Sequence, residues 1–260
     1  MPSSNVYAVY FSPTHSTERI CLTVASSLAK EAGMGVRTID FTPAGQRPAD
    51  VACFADDVLV FGFPVYAGRV PELLLPKIAR FSGDGTPAVI VGLYGNRDFD
   101  DALLEAADLL GERGFNVAAA GAFVGEHSMT AKVGAGRPDA EDVAVAEQFG
   151  RDVATRLAAS SPDTPVIKGN RPYKERPAPA DIRPQTTDDC TSCGICVAVC
   201  PLGIIDEDDP SVVDAGCIRC NACVKSCPEH AKFFRSEPTD KIIAMLESTC
   251  MEHKEPELFW

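Results

Sequence analysis

Basic residues are in short supply: the 260-residue chain carries 24 Lys and Arg against 37 Asp and Glu, a formal net charge of −13. A protein whose main task is to grip nucleic acid needs a basic face that displaces counterions, so that class of function is excluded as the leading reading. Long apolar runs are missing too. No stretch approaches the roughly eighteen consecutive apolar residues of a membrane span. The first residues, MPSSNVYAVYF, lack the basic region, apolar run and small-residue cleavage pattern of a secretory leader, so the expected location is the cytoplasm. No G-x-G-x-x-G follows the first apolar run, which argues against a classical dinucleotide fold, and the acidic residues of a phosphorylatable receiver domain are missing as well. No side chain stands out as a general base or nucleophile.

Cysteine, in contrast, is plentiful and unevenly placed. Of eleven, Cys21, Cys53 and Cys250 stand apart and read as incidental buried thiols, while eight crowd between positions 190 and 227. The run Cys190-x2-Cys193-x2-Cys196-x3-Cys200-Pro201 recurs 27 residues later as Cys217-x2-Cys220-x2-Cys223-x3-Cys227-Pro228. A disulfide framework needs an oxidising compartment, and structural zinc uses paired C-x2-C knuckles, so neither suits this repeat. The two prolines should stop the helical segment that carries each fourth cysteine, and Gly194 should let backbone pass close to a sulfide.

Upstream, apolar runs alternate with amphipathic stretches. Strands are expected at Val6 to Phe11, Val36 to Phe41, Asp57 to Phe63, Ala88 to Tyr94 and Asn116 to Val124. Helices are expected from Glu18 to about Ala32, Pro71 to Phe81, Phe99 to Arg113 and Ala140 to Ser160. Near-continuous apolar strands separated by helices make a doubly wound α/β sheet, covered on both faces. A proline-rich stretch from Ser161 to Pro184 reads as a linker, and its cluster of Lys168, Arg171, Lys174, Arg176 and Arg183 as solvated charge. The division is thus residues 1–162, a linker at 163–184, and a cysteine-rich unit at 185–260 ending in a helical tail over Asp240 to Ser248. The acidic run Asp206 to Asp209 reads as a solvated loop.

In such sheets ligands bind beyond the carboxyl ends of the strands. The loop after the first strand, Ser12-Pro13-Thr14-His15-Ser16-Thr17, is dense in hydroxyls and opens a helix, where free N–H groups suit a phosphate, although an ordinary N-cap explains the same residues. Pro64-Val65-Tyr66-Ala67-Gly68 and Tyr94-Gly95-Asn96-Arg97-Asp98-Phe99 each place an aromatic and a glycine where a planar ring could lie. Glu126-His127-Ser128, after the fifth strand, offers a second contact for the ring, but a lone histidine in a loop reads first as solvated and is left out of the core site.

Two resemblances follow from these motifs. The cysteine repeat resembles the two-[4Fe–4S] ferredoxin family over about Asp188 to Arg235. It implies two clusters, each borrowing a cysteine from the other run: Cys190, Cys193, Cys196 with Cys227, and Cys217, Cys220, Cys223 with Cys200. Residues 5 to 160 resemble flavodoxin, in particular flavodoxin-like domains fused to a ferredoxin. That resemblance implies a five-stranded parallel sheet of order 2-1-3-4-5 followed by a small α+β two-cluster unit. It also implies FMN, with phosphate at Ser12, Thr14, His15, Ser16 and Thr17. The ring would lie between Pro64, Val65, Tyr66, Ala67 and Gly68 on one side and Tyr94, Gly95, Asn96, Arg97 and Phe99 on the other. His15 stands where flavodoxins commonly have glycine, a departure that would carry strain if the turn needs a positive φ there. The implied function is electron transfer between FMN, the clusters and a redox partner protein or small-molecule acceptor. The alternatives are an FMN-dependent reductase of a small molecule and a redox or oxygen sensor. Interdomain geometry is left open by the linker, which allows a mobile arm or a homodimer that brings one chain's cluster to the other's flavin.

Overall fold

The structure is a computed structural model that describes residues 4–46, 50–159, 164–178 and 180–260. The expected strands form as β1 (Asn5–Tyr10), β2 (Gly35–Asp40), β3 (Val58–Pro64), β4 (Thr86–Tyr94) and β5 (Phe115–Val124), joined by α1 (Ser16–Ala32), α2 (Ala102–Gly111) and α3 (Ala140–Ala158). They pair in parallel in the order β2-β1-β3-β4-β5. Alternate residues of each central strand point to opposite faces. Val9, Leu59 and Ile90 therefore join one apolar layer with α2, while Ala8, Val60 and Val89 join another with α1 and α3. Both faces are covered, which is why these strands read as unbroken apolar runs.

Two expected helices differ in length. The Pro71 to Phe81 stretch gives only a 3-10 turn, Glu72–Leu74, and one α turn, Leu75–Ile78. Pro76 has no N–H to donate back along the chain, so a continuous helix cannot run through it. The helix expected from Phe99 begins at Ala102, because Asp100 sits at φ 43 and breaks the helical geometry ahead of it.

The chain also does something its sequence gave no sign of. After α4 (Glu237–Thr249), the C-terminal segment returns to the first sheet, where β6 (Glu257–Phe259) pairs antiparallel with β5 as a sixth strand. The edge that β5 would otherwise present is covered. Phe259 packs edge-on against Phe99, and Trp260 against Phe149. The tail helix, read without a packing partner, seats Leu246 and Ile242 on Val133.

Apart from Arg183, which pairs with exposed Asp181, the basic stretch of the linker is bound to the sheet domain rather than left free. Asp101, Glu105 and Asp108 lie along one face of α2, and the linker lays its cations and backbone N–H groups across them. Asp101 accepts from the backbone of Asn170 and Lys174, Asp108 from the Arg171 guanidinium and Tyr173, and Glu105 from Arg176 and Arg69. Lys168 sits 4.6 Å over the Phe99 ring. Among the described residues of the linker there is thus a strap rather than a free arm.

Candidate functional site

In the cysteine-rich unit the sequence repeat is also a repeat of backbone conformation. Ser192 and Arg219 have φ 53 and 54, Gly194 and Asn221 have φ 75 and 63, and Gly203 and His230 have φ 63 and 52. Each pair sits at the same place in its run. Asn221 carries a β-carbon where Gly194 has none, so the recurring requirement there is the left-handed turn, which glycine and asparagine adopt most readily, and not close backbone approach. Each turn leads into a short helix, Ile195–Ala198 or Ala222–Lys225. Those helices carry the third cysteine of each run, Cys196 and Cys223. The fourth, Cys200 or Cys227, lies two residues past the helix end, so the helix stops before it and not, as expected, at the following proline.

The turns gather the cysteines across the two runs. Cys190, Cys193, Cys196 and Cys227 line one small cavity, and Cys200, Cys217, Cys220 and Cys223 line another. Between them Cys196, Cys223, Ile205 and Val213 form an apolar cluster. All eleven cysteines are free thiols. Burial pushes the Cys220 and Cys223 thiols up to about 12, with neighbouring sulfurs adding to the effect. Among the described residues no compact set of ligands for a single metal ion forms, and four cysteines spread around one small cavity fit instead an iron–sulfur cluster, whose iron would hold them as thiolates. The second quartet is the more buried of the two; in the first, Cys193 is exposed.

Of the loops beyond the carboxyl ends of the strands, those after β3 and β5 touch this unit. His15 is the N-cap of α1 and sits at φ 63, with its Nδ1 2.8 Å from Glu18 Oε2. Ser12 is buried and its Oγ accepts from Glu18 N–H at 2.9 Å, so it already caps the helix. The other polar groups are uncommitted. Ser16 and Thr17 open the helix, where backbone N–H groups have no intrahelical acceptor. Among the described residues the hydroxyls of Thr14, Ser16 and Thr17 make no hydrogen bond within the protein. That donor set at the positive end of a 17-residue helix fits a phosphate.

Pro64 to Gly68 makes a tight reversal. Tyr66 and Arg69 exchange backbone hydrogen bonds across Ala67 (φ 53) and Gly68 (φ 81). At Gly68 a β-carbon would fall 2.0 Å from Asp100 Oδ2, so this loop and the one after β4 meet there with no room for a side chain. Tyr66 faces the cysteine-rich unit: burial raises its hydroxyl well above the ordinary value, and Cys220 and Cys217 lie close enough to raise it further. Ile218, between those two cysteines, packs on the same apolar layer as Val65 and Tyr66.

In the loop after β4 the side chains have other work. Tyr94 and Phe99 are buried and stack edge to face at 5.5 Å, part of the core. Asn96 is buried, and its Nδ2 donates to the carbonyls of Cys250 and Glu252 at 2.8 and 2.7 Å, while Lys254 Nζ donates to Arg97 O. Arg97 pairs with Asp100. The returning tail therefore fixes this loop from behind. Gly95 is pressed by His127, whose Cδ2 would lie 2.4 Å from an added β-carbon. His127 is thus packed into the site and not solvated as its sequence context suggested. Its Nδ1 accepts from Met129 N–H, and burial, followed by the charges of Lys225 and Arg97, lowers its pKa to about 4. Beside it, Glu126 pairs with Lys225 at 2.7 Å, a salt bridge from the sheet to the helix between Cys223 and Cys227. Nothing in the sequence tied Glu126 to Lys225, 99 residues apart.

Residues 189–232 match the family model described as a 4Fe-4S dicluster domain. Among solved structures, a flavodoxin from Streptococcus pneumonia TIGR4 is similar at 19% identity, covering 58% of this chain and 99% of its own, with a TM-score of 0.42. A flavodoxin from the domain Archaea shares 15% identity over 59% of this chain and 99% of its own, with a TM-score of 0.41. No curated protein matches the chain. Among the described residues no helix is long and apolar enough to cross a membrane. With its parallel strands in the order 2-1-3-4-5 and the cysteine repeat behind them, the molecule is an iron–sulfur protein in which a 4Fe-4S dicluster domain follows a flavodoxin-like α/β fold.

Proposed function

We propose that the protein is an electron-transfer flavoprotein that exchanges electrons between FMN, two [4Fe–4S] clusters and an external redox partner. The carrying observation is the position of Tyr66. The loop assigned to the flavin ring carries Tyr66, whose hydroxyl feels the charges of Cys220 and Cys217, and shares its apolar layer with Ile218, which lies between those cysteines in the chain. FMN, when bound, supplies the exchange between two-electron and one-electron chemistry that neither the clusters nor any side chain provides.

The chain's own groups bind, orient and exclude water. Thr14, Ser16 and Thr17, with the first N–H groups of α1, hold the phosphate, and Ser12 and His15 shape the turn. The backbones of Pro64 to Gly68 and of Gly95 to Arg97 hold the ring, with Tyr66 excluding water on the side of the second quartet. Cys217, Cys220, Cys223 and Cys200, on the side of Tyr66, would hold one cluster and Cys190, Cys193, Cys196 and Cys227 the other, with the exposed Cys193 offering a port for the partner. The domain division at 1–162, 163–184 and 185–260 serves this relay once the last residues are reassigned to the first sheet. Both halves meet within one chain, so the relay needs no second copy.

The test is anaerobic FMN titration of flavin-free protein, followed by reduction under stopped flow. Tight FMN binding, weakened at least tenfold by Ser16→Glu, is expected, with flavin and cluster absorbance changing on linked time courses. Equal affinity for FMN and riboflavin, which lacks the phosphate, would sink the assignment of the first loop.

A further inference from the structure

Lys232 is 2% exposed, yet among the described residues no carboxylate forms an ion pair with it. Its ammonium donates to the carbonyl oxygen of Pro210. The one carboxylate that feels its charge, Asp209, is exposed and makes no ion pair with it, so the desolvation of this buried ammonium is only partly offset. The side chain lines the cavity formed by Cys190, Cys193, Cys196 and Cys227, and its charge also acts on Cys196 and, from the other quartet, on Cys223. Its backbone is fixed: Lys232–Phe233 pairs antiparallel with Gln185–Thr186, and the N–H of the preceding Ala231 donates to Cys227 Sγ at 3.3 Å. The cation is built into the wall of the first quartet and is not a surface side chain folded inward.

We propose that Lys232 is the counter-charge of the first cluster and raises its reduction potential above the value the four thiolates alone would set. The inference rests on the iron–sulfur reading of the two quartets. Thiolate ligands give a cluster net negative charge, and reduction adds one electron without making or breaking a bond. A fixed positive charge in a low-dielectric wall stabilises the reduced form more than the oxidised form. Lys232 lines the first cavity and not the second, so the first cluster feels it more. An electron arriving from the flavin side would then move outward, towards the exposed Cys193.

The experiment is an anaerobic redox titration of the full chain followed by electron paramagnetic resonance, with iron and sulfide measured on each sample. The wave lost in Cys193→Ala identifies the first cluster. In Lys232→Met that wave is expected to move to lower potential by more than the second wave, while Lys232→Arg stays near the wild type. Lys232→Gln, which keeps a donor for Pro210, is the companion variant. Unshifted waves in either iron-replete neutral variant, or equal shifts in the Arg and Met variants, overturn the proposal. Loss of iron from both neutral variants overturns it as well, since the lysine would then be scaffold. Absence of iron from the wild type would instead sink the reading on which it rests.

Discussion

Glu105 is 4% exposed and accepts from Arg69 Nε and Nη2, Val70 N–H and Arg176 Nη2. Removing it strands two guanidinium groups, so Glu105→Ala is expected to cost about 3–5 kcal/mol by denaturant unfolding. Arg171→Ala, at an exposed pair, should change the same measurement little. His127 gives a pH signature. Its pKa is lowered to about 4 in the fold, against about 6.5 in an unfolded chain, so the unfolded state binds the extra proton first. The contribution of neutral His127 is fully present above the unfolded value and is lost as pH falls from about 6.5 through about 4. His127→Asn should flatten that part of the stability profile, read as the difference between the two proteins' melting curves. His15 at φ 63 carries local strain, and His15→Gly is expected to leave stability unchanged or raise it by about 1 kcal/mol. The positive φ of His15 was legible only as a question, raised by histidine standing where flavodoxins commonly have glycine. The burial of His127 was not, because nothing local shows that Gly95 is bare beneath it.

The five parallel strands and their helices could be read from apolar runs, since a strand buried on both faces needs no partner information to be recognised. The shortened helix around Leu75–Ile78 was legible in principle from Pro76. Strand β6 was not: Glu257–Phe259 is three residues long, too short for any periodicity, and only the open edge of β5 explains its place. Its seating can be followed through the chain's single tryptophan, Trp260, packed 5.2 Å from Phe149. Truncation after Thr249 should uncover β5, free Asn96 and Arg97 from Glu252 and Lys254, and lower the midpoint of unfolding. An unchanged midpoint would show that the tail is ornamental to the sheet.

Two straps join the halves of the whole molecule, the linker across α2 on one side and the C-terminal tail behind the β4 loop on the other. Composition alone made the linker look free, because proline content and basic charge are also what a solvated linker has; the acidic face of α2 that receives it lies some seventy residues away in sequence. Lys168 and Lys174 should therefore be cut slowly by trypsin in the folded protein and quickly in Asp101→Ala, as read by the appearance of two fragments. The dicluster match over residues 189–232 was legible, since the spacing of its cysteines is local. The site proposed for the flavin was legible only as loops, since which side chains are free for a ligand depends on what the tail has already engaged.

The account stands on the two cofactor types sharing one chain. The measurement that tests it most directly is an anaerobic ultraviolet–visible spectrum of the purified protein, with iron, sulfide and acid-released flavin determined on the same sample. About eight irons and about one FMN per chain are predicted from the two quartets and the phosphate-binding turn. Full iron with no flavin retained, even after incubation with FMN, would contradict the relay and leave a two-cluster electron carrier beside an empty flavodoxin-like fold.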